Sequence, residues 1–249
     1  MYEQTTLSKV STRAVFIVFA SLLFSSFCHG QDSTAERLKH QLKFANTPEH
    51  SISIYNQLGA HFEGVSDYPQ ALSYLYEAQE ANKANQYVNE AIVNCNYIGY
   101  VYWHKSDYDS ALHYHNKAVA LAADHRIENE NSAFSLMMLG NDYYDKGDFS
   151  KASSYYFESL KLAERLDAVD VQIQCNNRLS KLFFKMKDYP LCEQYVQEAI
   201  RLNKNNNQRE FGVSYNSLGN LSLINSDVDA ALDHFQATLT NFQLCGDVI

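Results

Sequence analysis

Glycine and proline are scarce in this 249-residue chain, which contains 9 and 3 of them. Nothing in it therefore resembles a low-complexity linker. Charged residues make up 20% of the sequence and hydrophobic residues 46%, which is the balance of an ordinary folded chain rather than a disordered one. The net charge is −9, and an acidic surface argues against a nucleic-acid backbone as the main partner.

Motifs that carry catalysis or metal binding are also missing from the sequence. It contains no His-Glu-x-x-His, no paired Cys-x-x-Cys and no glycine-rich phosphate loop. A helix would point His113 and His115 to nearly opposite sides, which is unsuitable for chelation. Nor does the sequence suggest a Ser/His/Asp or Cys/His set for nucleophilic catalysis. We therefore expect a protein that is not an enzyme and that has no metal and no cofactor.

The first thirty residues have the pattern of a secretory signal. Lys9 and Arg13 precede an apolar run at 14–27, and small residues follow it. This pattern predicts a signal peptide at 1–30 that is cleaved between Gly30 and Gln31. The apolar run is too short to span a bilayer comfortably, although an uncleaved anchor remains the alternative. We therefore expect export, to the periplasm or to a membrane-associated position facing outside the cytoplasm.

A five-fold repeat with a spacing of about forty residues runs through the rest of the chain. A Leu-Gly pair or a close variant recurs, ending at Gly59, Gly99, Gly140, Ser180 and Gly219. Eight residues after each of these positions comes an aspartate, at Asp67, Asp107, Asp148, Asp188 and Asp227. A fixed period of this size is typical of stacked helical units, which usually present a binding surface rather than a catalytic pocket.

Each repeat predicts two helices. In the first helix apolar or small residues recur at helical spacing, as at Tyr55, Leu58, Gly59 and Phe62. Glycine inside a helix costs about 1 kcal/mol relative to alanine, so its return predicts close approach of a neighbouring helix. The aspartate is a good N-cap for the second helix. One tyrosine recurs in the second helices, where we expect it to make contacts between units: Tyr74, Tyr114, Tyr155 and Tyr195.

Four cysteines follow the signal segment, and an even number in an exported protein invites a disulfide interpretation. The repeat register places Cys175 and Cys192 at opposite ends of a helix pair, too far apart for a bridge. Cys95 lies two repeats from both. We therefore expect these three cysteines to be small core residues, with Cys245 the exception.

The repeat resembles the tetratricopeptide repeat. The resemblance rests on Leu-Gly, an aromatic residue three positions later, Gly/Ser-Asp-Tyr and alanines in the second helix, and it covers residues 52 to about 243. It implies an all-α, right-handed α-α superhelix of five helix-turn-helix repeats plus a leading helix. The expected boundaries are 31–51 for the leading helix and turn and 52–249 for the array, with repeats starting near 52, 92, 133, 173 and 212.

The resemblance also implies that the first helices line a concave groove. Asparagine recurs there three residues before the Gly/Ser position, and side chains four and seven residues further on share its face. An asparagine amide can bracket a peptide bond, and aromatic side chains dominate many interfaces. Alternatively, the asparagines bond a neighbouring helix and the aromatics fill gaps between units. The candidate groove residues are Asn56, Asn96, Tyr100, Trp103, Asn141, Tyr144, Asn177, Lys181, Phe184, Asn216 and Asn220.

These patterns favour an exported, non-catalytic scaffold that binds a peptide or protein segment in the groove. The forty-residue variant is similar to repeats in kinesin light chains and in bacterial peptide-sensing regulators. The alternative is the sensory input region of a truncated membrane signalling protein, such as a histidine kinase, a cyclase or a transcription regulator. No polar capping helix follows the last repeat before Ile249, which favours a missing C-terminal module or self-association at that end.

Overall fold

The computed structural model describes residues 34–84, 86–204 and 207–245, so the predicted signal segment with Gly30 and Gln31 lies outside the described residues. Within those ranges the chain is helical apart from short connections, and no strand occurs among them. The predicted all-α fold is therefore confirmed. The chain divides into two compact units, one ending at Lys83 and the other beginning at Ala84.

The first unit contains the leading helix and one helical hairpin. Helix α1 covers residues 34–43, α2 runs Pro48–Gly64 and α3 runs Tyr68–Ala81. Thr47 caps α2 because its side-chain oxygen accepts a hydrogen bond from the His50 backbone amide at 3.2 Å. Pro48 follows at the first helical position, where a missing amide hydrogen does little harm.

The second unit contains four hairpins. In each pair the first helix is followed by a second one: α4 Val88–His104 and α5 Tyr108–Asp124, α6 Glu130–Asp145 and α7 Phe149–Arg165, α8 Val169–Lys185 and α9 Tyr189–Leu202, α10 Gln208–Ile224 and α11 Val228–Leu244. The first helices contact one another in the order α4, α6, α8, α10. Each of α5, α7 and α9 packs against its own first helix and the first helix of the next hairpin. The first helices of this unit therefore form one layer and the second helices another.

The turn inside each hairpin combines a left-handed residue with an aspartate cap. Ser106 has φ 60°, and the Asp107 amide behind it donates to the Tyr102 carbonyl at 3.0 Å. The Asp107 carboxylate then accepts from the Ser110 amide at 3.1 Å and begins α5. The same cap recurs at Asp67, Asp148, Asp188 and Asp227. The predicted capping role of the repeated aspartate is confirmed.

The repeated glycine makes room for a large side chain of the second helix. A Cβ atom on Gly99 would lie 2.4 Å from Nε2 of His115, and one on Gly140 would lie 2.5 Å from the Tyr156 ring. In both hairpins the side chain that fills the space comes sixteen residues after the glycine. The close approach predicted from mid-helix glycine is therefore present, because any larger residue would push the two helices apart.

The recurring second-helix tyrosines stack inside their own hairpins. Tyr114 lies parallel to Tyr102 at 5.8 Å between ring centroids, and Tyr155 lies parallel to Tyr143 at 5.4 Å. The expected contact between units is found for Tyr195, which also lies 6.1 Å from the Phe157 ring of the preceding hairpin, but stacking within the hairpin is the contact that Tyr114 and Tyr155 make here. The physical reason is the helical register, which places each tyrosine opposite the aromatic residue that follows the glycine by three positions.

The structure confirms the expected positions of the cysteines. Three are buried, namely Cys95, Cys175 and Cys192, and Cys245 is exposed. Burial raises the pKa of the Cys95 thiol to about 11 and that of Cys175 to about 12.

Among the residues that the structure describes, no helix combines the length and the apolar character needed to cross a bilayer.

Candidate peptide-binding face

The second unit exposes aromatic and basic side chains on its layer of first helices. We use the term inner face for the surface of α4, α6, α8 and α10 that carries Tyr100, Trp103, Tyr144, Lys181 and Phe184. Of these side chains Lys181 is exposed and the other four are half-buried. On α10, Asn216 is exposed and Asn220 is half-buried. The structure thus brings most of the expected groove residues of this unit to one layer.

One part of the inner face is an aromatic cluster at the end of α4. The Tyr100 and Trp103 rings are stacked, with centroids 5.8 Å apart and planes 3° from parallel. His104 packs edge-on against both rings, at 4.6 and 4.9 Å. The Trp103 indole Nε1 donates to Asp145 on α6 at 2.5 Å, which fixes the indole ring between two hairpins. Burial, with a further contribution from Arg209, lowers the pKa of His104. The cluster thus presents ordered aromatic rings beside the Asp145 carboxylate.

Positive charge lies beside this cluster, on α8. Arg178, Lys181 and Lys185 follow one another at helical spacing and share one side of the helix. The Lys181 ammonium lies 4.9 Å from the centroid of the Tyr144 ring, which is a cation–π contact between α8 and α6. Burial and the neighbouring Arg178 lower the pKa of Lys181. An ammonium beside an aromatic wall suits an anionic or aromatic group of a ligand.

Asn177 does not belong to the exposed surface. It is fully buried, and its Nδ2 donates to the Glu210 carboxylate at 2.7 Å and to the Glu210 carbonyl at 3.2 Å. Its Oδ1 accepts from the Ser214 hydroxyl at 2.8 Å. The expectation that Asn177 faces a ligand is wrong, because all of its polar atoms are occupied in joining α8 to α10.

The other asparagines of the expected ladder are also buried, apart from Asn216. Asn96 is 3% exposed, and its Nδ2 donates to the Asn131 carbonyl at 3.3 Å. Asn141 accepts a hydrogen bond from the Tyr156 hydroxyl at 2.9 Å. In the first unit Asn56 is buried as well. The alternative interpretation, that asparagines bond a neighbouring helix, therefore holds for Asn96, as it does for Asn177.

A cleft that the sequence did not indicate opens at the N-terminal ends of the first helices. We call it the N-terminal cleft. It has a volume of about 290 Å³, and its lining includes Asn96, Tyr97, Glu130, Phe134, Asp170 and Gln174. Glu130 and Asp170 lie in the first turns of α6 and α8, where a carboxylate is ordinarily explained by the helix dipole. Both carboxylates also line the same cleft, which the helix dipole does not explain.

A buried ionisable pair lies behind the inner face, in the core between α5 and α6. His115 Nδ1 and Asp142 Oδ2 are 2.6 Å apart, and both side chains are fully buried. Burial raises the pKa of Asp142, although His115 opposes the shift. Sequence reasoning missed this pair. The available signal was two polar residues at positions that are apolar in neighbouring repeats, namely Leu75 for His115 and Val101 for Asp142.

Comparison with known proteins finds a repeat-family match in part of the second unit. A family model of the tetratricopeptide repeat matches residues 89–165. Among solved structures, BtubC (BKLC) from P. vanneervenii has a TM-score of 0.68 at 15% identity, covering 89% of this chain and 91% of that chain. A Rap conjugation gene regulator of the plasmid pLS20, in complex with a Phr peptide, has a TM-score of 0.66 at 14% identity and covers 80% and 54%.

A third similar structure is a signal transduction ATPase with numerous domains from Pyrococcus horikoshii, which carries a tetratricopeptide repeat sensor. Its TM-score is 0.62 at 17% identity, and the match covers 88% of this chain and 37% of that protein. The chain therefore spans about half or less of the Rap regulator and of the ATPase. At these identities the likeness shows a shared fold.

Proposed function

Because the chain is a tetratricopeptide-type helical repeat protein, we propose that it is a non-catalytic scaffold that binds a peptide or an extended protein segment on the inner face. The observation that carries the proposal is the set of partly exposed aromatic rings on consecutive first helices, at Tyr100, Trp103, Tyr144 and Phe184. Rings held by neighbouring contacts bury a large area at low cost in conformational entropy.

Two features of the inner face support a polypeptide rather than a small molecule. The aromatic positions lie on three successive hairpins, so they form an extended surface instead of one enclosed pocket. The basic side chains Lys181 and Lys185 on α8 offer ion pairs to acidic groups along such a segment. The Rap structure was solved with a peptide, so it shows that a protein of similar fold binds one.

The proposal is tested by selecting peptides from a random library on the full chain and measuring their affinity by calorimetry. We expect Trp103→Ala to weaken the selected peptides about tenfold or more, which corresponds to a loss of roughly 1.4 kcal/mol, because a central aromatic carries much of the energy of an interface. Phe157→Ala is the matched control, since Phe157 is an aromatic of the second-helix layer with 40% exposure.

Equal affinity of wild type and the Trp103 variant, with circular dichroism showing intact helices, would refute the inner face as the binding surface. A loss in both variants would point to the second-helix layer instead. A loss confined to Trp103→Ala is the result that the proposal requires.

A sensory module within a larger assembly is the second candidate function. It is favoured by the last hairpin, where Leu232 and Leu239 on α11 are 62% and 44% exposed. Leu160 occupies the same repeat position on α7 as Leu239 on α11, and it is buried in the hydrophobic core of the second unit. An additional segment or a second copy would cover these leucines. Sedimentation velocity of wild type and Leu239→Glu tests the second copy, because only association through α11 would be reduced by the new charge.

We further propose that the chain is exported, on the basis of the basic residues and the apolar run before Gly30. Amino-terminal sequencing of the protein recovered outside the cytoplasm tests this proposal, and a start at Gln31 is the expected result. A product beginning at Met1 would favour the anchor.

A further inference from the structure

We propose that the N-terminal cleft is a binding site for a primary ammonium group of the peptide ligand, and this inference rests on the proposed function. The group would come from a lysine side chain or from the amino terminus of the peptide. One end of the inner face would then prefer a positively charged group, and the residues responsible lie outside the aromatic cluster.

The lining of the cleft provides negative charge from two hairpins. Glu130 at the start of α6 and Asp170 at the start of α8 are both exposed and line the same space. The rest of the lining is uncharged and includes Tyr97, Phe134 and Gln174. Two carboxylates with aromatic walls form the kind of surroundings that bind an organic cation.

A buried polar atom gives the second, independent indication of a ligand. Asn96 lines the cleft, is 3% exposed, and has an Oδ1 atom with no hydrogen-bond partner. Its Nδ2 is held by the Asn131 carbonyl, so the amide orientation leaves Oδ1 as an acceptor. A buried acceptor without a donor is costly, which means that a donor from a ligand would repay its desolvation. An ammonium group has three donors and no acceptor, which matches Oδ1 and two carboxylates.

The ends of two helices might be expected to attract an anion here, because the amino end of a helix carries partial positive charge. In α6 this charge is already met by Glu130 and by the Asn129 cap, whose Oδ1 accepts from the Ser132 amide at 3.0 Å. In α8 it is met by Asp170. The free acceptor of Asn96 therefore favours a ligand group that donates hydrogen bonds, and the two carboxylates favour one with positive charge.

The experiment is an NMR titration of the nitrogen-15-labelled full chain, following the side-chain amide signals of Asn96 and Asn131. Two amine probes distinguish the sources: triglycine amide presents a free amino terminus, and Nα-acetyl-lysine amide presents a side-chain ammonium. Acetyl-triglycine amide and Nα-acetyl-norleucine amide are the uncharged controls. We expect at least one amine probe to shift both signals and to bind at least fivefold more tightly than its control.

The variants then assign the charge. Glu130→Gln with Asp170→Asn should reduce affinity for the amine probe about fivefold or more, whereas Glu164→Gln with Glu193→Gln should leave it unchanged, because Glu164 and Glu193 lie exposed on second helices. The loss of affinity in the Glu130/Asp170 variant should also become smaller when salt is raised to 0.5 M, since exposed charges are screened.

Several outcomes would overturn the inference: no shift of the Asn96 signal with either amine, equal binding of amines and controls, or an unchanged affinity in the Glu130/Asp170 variant. None of these depends on Trp103, so the proposed function would survive if the Trp103 variant still lost its selected peptides. Failure of the Trp103 test with success here would leave an ammonium site on a surface with a different function.

Discussion

The buried pair of His115 and Asp142 allows a sharp prediction about stability. The corresponding positions carry Leu75 and Val196 for His115, and Val101 and Leu182 for Asp142, although the first hairpin has His61 at the second position. Both are fully buried, and His115 Nε2 and Asp142 Oδ1 have no hydrogen-bond partner within the described residues. The pair therefore consists of one short bond between two otherwise unsatisfied groups.

Replacing either partner alone should be strongly destabilising. His115→Leu leaves the Asp142 carboxyl buried without its donor, and Asp142→Val leaves the imidazole without its acceptor. Removing one member of a buried pair costs about 3–5 kcal/mol, because the remaining group stays desolvated and unpaired. The double variant should be close to wild type or more stable by up to about 4 kcal/mol, since it replaces the buried pair by apolar side chains.

Urea denaturation at pH 7 measures these free energies, and Trp103, the only tryptophan of the chain, provides a fluorescence signal in the same hairpin as His115. Circular dichroism provides a second probe, because repeat arrays can unfold in stages. A double variant that is destabilised by the sum of the single variants, to within about 0.5 kcal/mol, would refute the reasoning, because additivity would mean that the two residues do not act as a unit.

Two further predictions concern titration and turns. The pKa of Asp142 is raised in the folded protein, so its protonated form stabilises the fold fully below the ordinary value of 3.8 and loses this effect as pH rises through the raised value. The free energy of unfolding of wild type minus that of Asp142→Asn should therefore fall between pH 3 and 7 in urea titrations, and a rise would contradict the shift. Gly147 has φ 81°, so Gly147→Ala should cost about 1 kcal/mol by thermal denaturation, whereas Gly64→Ala should stabilise helix α2 by about 0.5–1 kcal/mol because nothing lies within 4 Å of the new Cβ. Equal effects at the two glycines would rule out backbone conformation as the cause.

The architecture could be predicted from the sequence because each of its determinants is local. The spacing of apolar residues predicts the helices, and the aspartate at position 107 or 148 marks the start of a second helix. The glycine at position 99 marks the closest approach of the two helices of a hairpin. The aspartate recurs in every hairpin and the glycine in all but the one with Ser180, so each repeat supports the assignment of the others.

The roles of individual polar residues could not be predicted in the same way. An asparagine that bonds a neighbouring hairpin and one that faces a ligand have the same position in the helical pattern. Asn177 is satisfied by Glu210 and Ser214, whose contribution depends on the packing of α10 on α8. The partner of His115 likewise lies on the next hairpin. Side chains that join repeats are therefore visible only when the repeats are stacked.

The charges of the inner face limit the kind of segment that the two proposals allow. Although the chain has a net charge of −9, the acidic and basic side chains of α8 are separated along the helix, with Asp170 at its start and Lys181 and Lys185 near its end. Asp170 and Lys181 lie about 16 Å apart at the helical rise of about 1.5 Å per residue. An extended peptide covers this distance with about five residues at roughly 3.3 Å each. A segment with an ammonium group and an acidic group at that spacing would satisfy both ends of α8, whereas a uniformly charged segment would be repelled at one of them.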